Sequence, residues 1–254
     1  MRILISNDDG IHAPGIRALL KVVADLGEVV VVAPDGQRSA SSHGISLHGQ
    51  LQAQPVSLGY GHVTGFALTG TPVDCVKWAI SVVNHGRPFD LMFSGINEGA
   101  NLATDVLYSG TVAAAGEAAL LHTPAIAFSL VGPPFPFTEA ADTALRIIQQ
   151  VSLETLPADT FLNVNIPAKQ ASTDKWTITK LGARSYKDEF VTQTNAHGQV
   201  VYRYSGEPLD GPMDEDTDVA AIMRREISMT PLRYRFTDYA TVKAMTASEA
   251  LLNR

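Results

Sequence analysis

The sequence predicts an α/β fold: a doubly wound, mostly parallel sheet with a C-terminal β-hairpin extension and a terminal helix. Three observations carry that prediction. Short apolar runs recur as far as Pro167, and they are continuous, as strands covered on both faces require. Between them lie stretches with apolar residues at helical spacing, the alternation that builds parallel sheets with right-handed crossovers. The composition, 45% hydrophobic against 18% charged over 254 residues, excludes a disordered chain and suffices for a sizeable core.

Residues 3–6 read as a buried strand. A loop punctuated by Gly and Pro follows, Asp9-Gly10-Ile11-His12-Ala13-Pro14-Gly15, and then Ile16, Leu19, Leu20, Val22, Val23 and Leu26 fall at helical spacing. Residues 29–33 form a second apolar run, stopped by Pro34-Asp35-Gly36. Residues 45–47, 51–56 and 63–68 read as short strands or a hairpin excursion. Thr71-Pro72-Val73-Asp74 is a helix start, with Thr as N-cap, Pro at N1 and an acid at N3. That helix carries Val76, Ala79, Ile80 and Val83. A strand over 91–94, an alanine-rich helix over 111–121, a strand over 125–130, a helix over 139–153 and a strand over 161–164 complete the alternation.

After Pro167 the character changes. Residues 176–181, 190–194 and 200–204 predict strands, the last two joined through Asn195-Ala196-His197-Gly198, and 228–232 returns as a further strand. Val242, Met245, Glu249 and Leu252 share one side of a C-terminal helix. There is no internal repeat. Residues 1–254 therefore read as a single domain, with 168–254 as its elaboration.

Composition also narrows the partners. Lys and Arg number 19 against 26 Asp and Glu, a net charge of −7 that speaks against a nucleic-acid polymer. No apolar stretch approaches the roughly 18 residues of a membrane span, and Asp8 and Asp9 come too early for a secretory leader. Cys75 stands alone, so neither an internal disulfide nor a thiolate zinc site is available. The expectation is a soluble, cytoplasmic protein without a membrane.

Ligands of open parallel sheets bind beyond the carboxyl ends of the strands. Three loops leaving those ends are unusually polar: residues 7–10, 34–42 and 95–101, rich in carboxylates, hydroxyls and amides. Adjacent carboxylates at the end of a buried strand are costly without positive compensation. Oxygen-only donors suit a hard divalent cation better than zinc. Asp8 and Asp9 face opposite ways along a strand, and both reach one ion only if the chain turns, which Gly10 permits. The plainer reading is that either acid caps the following helix or pairs with Arg38. Ser109-Gly110-Thr111 opens the alanine-rich helix, where small residues, free N–H groups and the helix dipole suit a phosphate; an ordinary N-cap explains it equally. His12 and His43 lie in the site loops, either to assist proton transfer or simply to pack.

Absent motifs narrow the chemistry further. There is no Gly-x-x-x-x-Gly-Lys-Ser/Thr loop and no Gly-x-Ser-x-Gly elbow. Gly59-Tyr60-Gly61-His62-Val63-Thr64-Gly65 does not fit the dinucleotide pattern, and the seven histidines show no zinc-ligand spacing.

Five ordered motifs resemble the SurE family, the survival-protein-E 5′/3′-nucleotidases. They are residues 3–15 (Ile-Leu-Ile-Ser-Asn-Asp-Asp-Gly-Ile-His-Ala-Pro-Gly), Val32-Ala33-Pro34-Asp35 through Arg38-Ser39, Gly70-Thr71-Pro72-Val73-Asp74-Cys75-Val76, Ser94 through Leu102, and Asp105 through Ala115. The resemblance implies one divalent cation per subunit, Mg²⁺ or Mn²⁺ with Ca²⁺ able to take the place, held by Asp8, Asp9, Ser39 and Asn97. It implies phosphate contacts from Asn101 and the Ser109-Gly110-Thr111 turn, and hydrolysis of nucleoside monophosphates, other phosphomonoesters and short polyphosphate. Asp8 or Asp9 would also serve as catalytic base, with direct attack by an aspartate as the rival mechanism. The family forms homodimers or homotetramers that exchange C-terminal segments. The later part departs from the pattern: Asp216 stands where glycine is usual, Arg225-Glu226 replaces a Gly-aromatic pair, and Asn195-Ala196-His197-Gly198 replaces Asp-Pro-Arg-Gly. The competing functional class is a nucleotide- or metal-sensing binding protein on the same scaffold.

Overall fold

The computed structural model describes residues 1–170, 175–210 and 214–252. It begins with β1 (Arg2–Ser6), α1 (Pro14–Val23), β2 (Glu28–Pro34), β3 (Ala53–Pro55), β4 (Val63–Leu68) and α2 (Pro72–Trp78). Next come β5 (Leu91–Glu98), α3 (Gly110–Leu120), β6 (Ala125–Val131), α4 (Phe137–Gln150) and β7 (Phe161–Pro167). The remainder holds β8 (Trp176–Ile178), β9 (Arg184–Lys187), β10 (Phe190–Thr194), β11 (Val200–Tyr204), β12 (Glu207–Asp210), α5 (Asp218–Met223), β13 (Ile227–Leu232) and α6 (Tyr239–Leu252).

Nine strands form one sheet in the order β3-β4-β2-β1-β5-β6-β7-β13-β8. From β4 to β7 all neighbours run parallel; β3 and β13 join antiparallel to β4 and β7. The chain leaves β1 toward β2 and β4 and returns to β5 on its other side, so the switch point lies between β1 and β5. α1 and α4 cover one face, where Ile16, Leu19, Ala140 and Ile147 pack on Ile3, Ile5 and Phe93. α2 and α3 cover the other, where Cys75, Val76, Ala115 and Ala118 pack on Leu4, Val32 and Met92. This is the doubly wound arrangement the continuous strands predict.

Local chemistry explains most of the boundaries. Thr71 Oγ1 accepts the Asp74 N–H while Asp74 Oδ2 accepts the Thr71 N–H, the reciprocal cap that the Thr-Pro-x-Asp start predicts. α3 is buried from Gly110 to Ala119, and its small side chains let the helix axis approach the sheet closely. The Asn195–Gly198 turn joins β10 to β11 in antiparallel register, with Asn195 Oδ1 accepting the N–H groups of His197 and Gln199.

Other boundaries differ from expectation. Residues 45–47 form a loop rather than a strand: Ser46 gives its N–H and hydroxyl to the Asp74 carboxylate, at 3.0 and 2.8 Å. β5 runs on past Ser94 to Glu98, with a register shift against β6 between Ser94 and Asn97. β9 pairs with β12 in a second hairpin, and α5 precedes β13; neither shows a period strong enough to be read from sequence. α6 exposes Tyr239, Val242 and Met245, while the side chains of Glu249 and Leu252 lie outside the described residues. Among the described residues, no helix is long and apolar enough to cross a membrane.

Candidate metal and phosphate site

The site forms where the loops after β1, β2 and β5 meet the first turn of α3. Asn7 closes the turn after β1: its side-chain amide donates to Gly10 O at 2.9 Å and its carbonyl accepts the Gly10 N–H at 3.2 Å. Gly10 sits at φ +102°, and a Cβ there would meet the Gly36 backbone at 3.2 Å. Glycine is therefore required both by conformation and by space. Backbone bonds lock the first two loops together, Arg38 N–H to Asp8 O at 2.7 Å and Ile11 N–H to Pro34 O at 2.9 Å.

The turn sends the two acids to different neighbours. Asp8 is buried, and its Oδ1 accepts the Thr111 hydroxyl at 2.5 Å. Burial pushes its carboxyl above the usual range, opposed by the Thr111 hydroxyl and by the Gly110 and Thr111 amides. Asp9 Oδ2 accepts the Glu98 N–H at 3.1 Å. Burial, then the charge of Asp8, push the Asp9 carboxyl up to about 6, with Glu98 adding to the repulsion. Arg38 does not relieve this crowding, because its guanidinium pairs with Asp35 at 3.0 Å. Nor does either acid cap α1, whose N-cap Ala13 makes no side-chain bond. Both plainer readings of the Asp8-Asp9 pair are thereby set aside.

The other expected residues lie on the segments that meet this turn: Ser39 after β2, Asn97 within β5 and residues 109–111 at the start of α3. Ser39 is exposed, and its Oγ accepts from Gln37 Nε2 at 3.0 Å. Asn97, half-buried at the end of β5, donates its side-chain N–H to Gly99 O at 3.0 Å. Ser109 caps α3, its Oγ accepting the Val112 N–H at 3.1 Å, so the ordinary capping role holds for this residue. Gly110 marks close packing: a Cβ would lie 2.7 Å from Ser41 Oγ and 2.8 Å from Asp8 Cβ. The amides of Gly110 and Thr111 act on Asp8, so the free N–H groups expected for a phosphate are already engaged.

Asn101 is buried in a network that sequence reasoning missed. Its side chain donates to Ser129 Oγ at 2.8 Å, its N–H donates to Asn165 Oδ1 at 2.8 Å, and its carbonyl accepts from Asn163 and Asn165. Two asparagines at alternate positions of the otherwise apolar β7 were the available signal. The histidines serve contacts. His12 meets Arg17 at 3.4 Å on the surface, and His43 Nε2 lies 2.7 Å from Glu117 Oε2. Cys75 is core, with burial pushing its thiol upward.

Among the described residues no three His, Cys, Asp or Glu side chains gather as a metal cluster. The donor set expected from the sequence is of another kind: the Asp8 and Asp9 carboxylates with the Ser39 hydroxyl and the Asn97 amide on neighbouring segments. Hard oxygen donors of this sort fit Mg²⁺, Mn²⁺ or Ca²⁺, and a cation would offset the uncompensated Asp8–Asp9–Glu98 charge.

Fold and site together define a doubly wound α/β protein with an acidic, oxygen-rich centre at its switch point, facing a helix N-terminus. Residues 3–188 match the family model described as survival protein SurE. The chain is 42% identical over 248 residues to the 5′-nucleotidase SurE of Heliobacterium modesticaldum, covering 97% of this chain and 91% of that one. It is 44% identical over 249 residues to the 5′-nucleotidase SurE of Pelobacter propionicus, covering 97% and 98%. The crystal structure of the SurE protein from Aquifex aeolicus superposes with a TM-score of 0.82 at 35% identity, covering 98% of this chain and all of that one. The chain belongs to the SurE family.

Proposed function

We propose that the chain is a divalent-metal-dependent 5′-nucleotidase, a phosphomonoesterase acting on nucleoside monophosphates. The observation that carries this is the placement of two adjacent carboxylates, Asp8 and Asp9, at the switch point, with Asp8 against the first turn of α3. The relatives named 5′-nucleotidase SurE, matched over nearly the whole chain, support the same reading.

In this reading Asp8, Asp9, Ser39 and Asn97 hold the cation, with Mg²⁺ or Mn²⁺ as the working ion. When bound, it supplies Lewis-acid polarisation of a phosphoryl oxygen and acidifies a water. The chain's own groups do the rest. Thr111 fixes the Asp8 carboxylate in one orientation. The positive dipole end of α3 favours negative charge at the site, while its Gly110 and Thr111 amides already act on the Asp8 carboxylate. Asn101, tied to Ser129 of β6 and to Asn163 and Asn165 of β7, is assigned a phosphate contact in this reading. One of the two carboxylates, Asp8 or Asp9, takes the proton from the attacking water. We place the protein in the cytoplasm as a homodimer or homotetramer, with residues 168–254 as the assembling elaboration. The exposed apolar side chains of α6 and of β10–β11 support that role.

The test is phosphate release from AMP and from an aryl phosphate, with and without Mg²⁺ or Mn²⁺. Metal-dependent turnover is expected. Its absence with both substrates would leave a binding protein on the same scaffold.

A further inference from the structure

A cavity of about 320 Å³ opens beside Asp9, lined by Pro14 and Gly15 of α1, Phe137 of α4, Gln37 and Glu98. α1 and α4 cover the face of the sheet opposite α3, so this cavity and the first turn of α3 flank the Asp8-Asp9 turn from two sides. Their electrostatics differ in kind. The α3 side offers the positive end of a helix dipole, whereas the cavity carries two carboxylates, and no Lys, Arg or His lines it. Beyond the cation that Asp9 would hold, Glu98 repels a phosphate from the cavity and the dipole end of α3 attracts it. An uncharged, hydroxyl-bearing group has the opposite preference, because a carboxylate is a strong acceptor for hydroxyl donors.

The cavity is also rigid on its apolar side. Phe137 packs on Gly15, where a Cβ would lie 3.0 Å from Phe137 Cε1, and it stacks with Phe135 at 6.2 Å and 20°. Half-buried and braced from behind, its ring presents a fixed apolar surface beside polar groups, the mixture that characterises small-molecule pockets. Glu98, by contrast, is exposed, with its backbone N–H already committed to Asp9.

We propose that this cavity holds the nucleoside of the substrate, with Glu98 accepting hydrogen bonds from ribose hydroxyls and Phe137 packing against the base. The inference rests on the phosphomonoesterase reading above and gives that reading an orientation: phosphate toward α3, nucleoside toward α1 and α4. It makes these two residues determinants of nucleotide preference over simple alkyl phosphates.

The test compares AMP with ethyl phosphate, which has neither ribose nor base, in wild type, Glu98→Ala and Phe137→Leu with Mn²⁺ present. The AMP-to-ethyl-phosphate ratio of kcat/KM falls about ten-fold in each variant, through KM for AMP, as expected for one lost hydrogen bond or stacking contact. Because Glu98 is exposed, its substitution keeps the test valid should Phe137→Leu fold poorly. An unchanged ratio in Glu98→Ala overturns the proposal. A wild type inert toward both phosphates counts against the phosphatase reading, and the cavity is then judged by adenosine titration alone. Saturable adenosine binding weakened by either substitution supports it; no saturable binding overturns it.

Discussion

Thr111 donates its hydroxyl to Asp8 Oδ1 at 2.5 Å, joining the end of β1 to the first turn of α3 across 103 positions of sequence. Neither group is exposed. The bond therefore sets the direction of a buried carboxylate where the acidic turn and the first turn of α3 meet.

Replacing Thr111 with Val keeps the shape and removes the donor. The Asp8 carboxylate then lies buried without its side-chain partner, at a cost of about 1–3 kcal/mol in stability. Urea unfolding reads that loss. Phosphate release from AMP falls at least about ten-fold in kcat/KM, since 1.4 kcal/mol of misplaced transition-state stabilisation suffices for that factor. Wild-type stability together with wild-type turnover would remove the bond from the mechanism.

Asp8→Asn and Asp9→Asn each abolish most turnover while preserving the fold, which circular dichroism and unfolding curves check. Metal-free Asp9→Asn is expected to be more stable than wild type at neutral pH. Burial, Asp8 and Glu98 all oppose the Asp9 charge, and an amide relieves that opposition. A metal-free Asp9→Asn less stable than wild type would contradict the described electrostatics.

Two glycines that look alike in sequence differ sharply in space. A Cβ on Gly15 would sit 1.9 Å from the Ile96 carbonyl oxygen, whereas a Cβ on Gly36 meets nothing within 4 Å. Gly15→Ala must separate α1 from β5 and costs on the order of 3 kcal/mol or more. Gly36→Ala stays within about 0.5 kcal/mol of wild type. Thermal unfolding of the pair gives the comparison, and similar melting temperatures would count against the close contact.

Glu117 supplies a pH prediction. Burial pushes its carboxyl upward, but hydrogen bonds from His43 at 2.7 Å and Lys77 at 2.8 Å outweigh burial and hold it below the usual range. A depressed folded-state value means stability that is present above the unfolded value, about 4.3 for Glu, and lost as pH falls through the folded one. Wild type should therefore lose more stability than Glu117→Gln on acidification from pH 6 to pH 3. Parallel losses in both proteins would show that the cluster carries no such linkage.

Much of the sheet was legible because its strands are doubly covered. Val29 to Val32 has no polar face to hide, and a run of that kind has few other homes in a folded chain. The α2 start was legible because a capping box is local chemistry, complete within four residues. Long-range commitments were not. Ser46 reads as part of an alternating strand until Asp74 takes its donors, and the Glu117–His43 pair joins residues 74 positions apart. The acidic turn could be read as a candidate site from residue types alone. Which way each carboxylate faced depended on Thr111 and Glu98, and no local pattern links either to β1. Asn163 and Asn165 were overlooked because an amide inside an apolar strand gains meaning only once Asn101 is seen to bind it.

The most direct measurement is Mn²⁺ binding, followed by titration calorimetry on metal-stripped wild type, Asp8→Asn and Asp9→Asn. One ion per chain is expected for wild type, with affinity reduced at least about ten-fold in either variant, as loss of a charged ligand implies. Equal Mn²⁺ affinity in all three proteins would contradict the assignment of the Asp8-Asp9 turn as the metal centre.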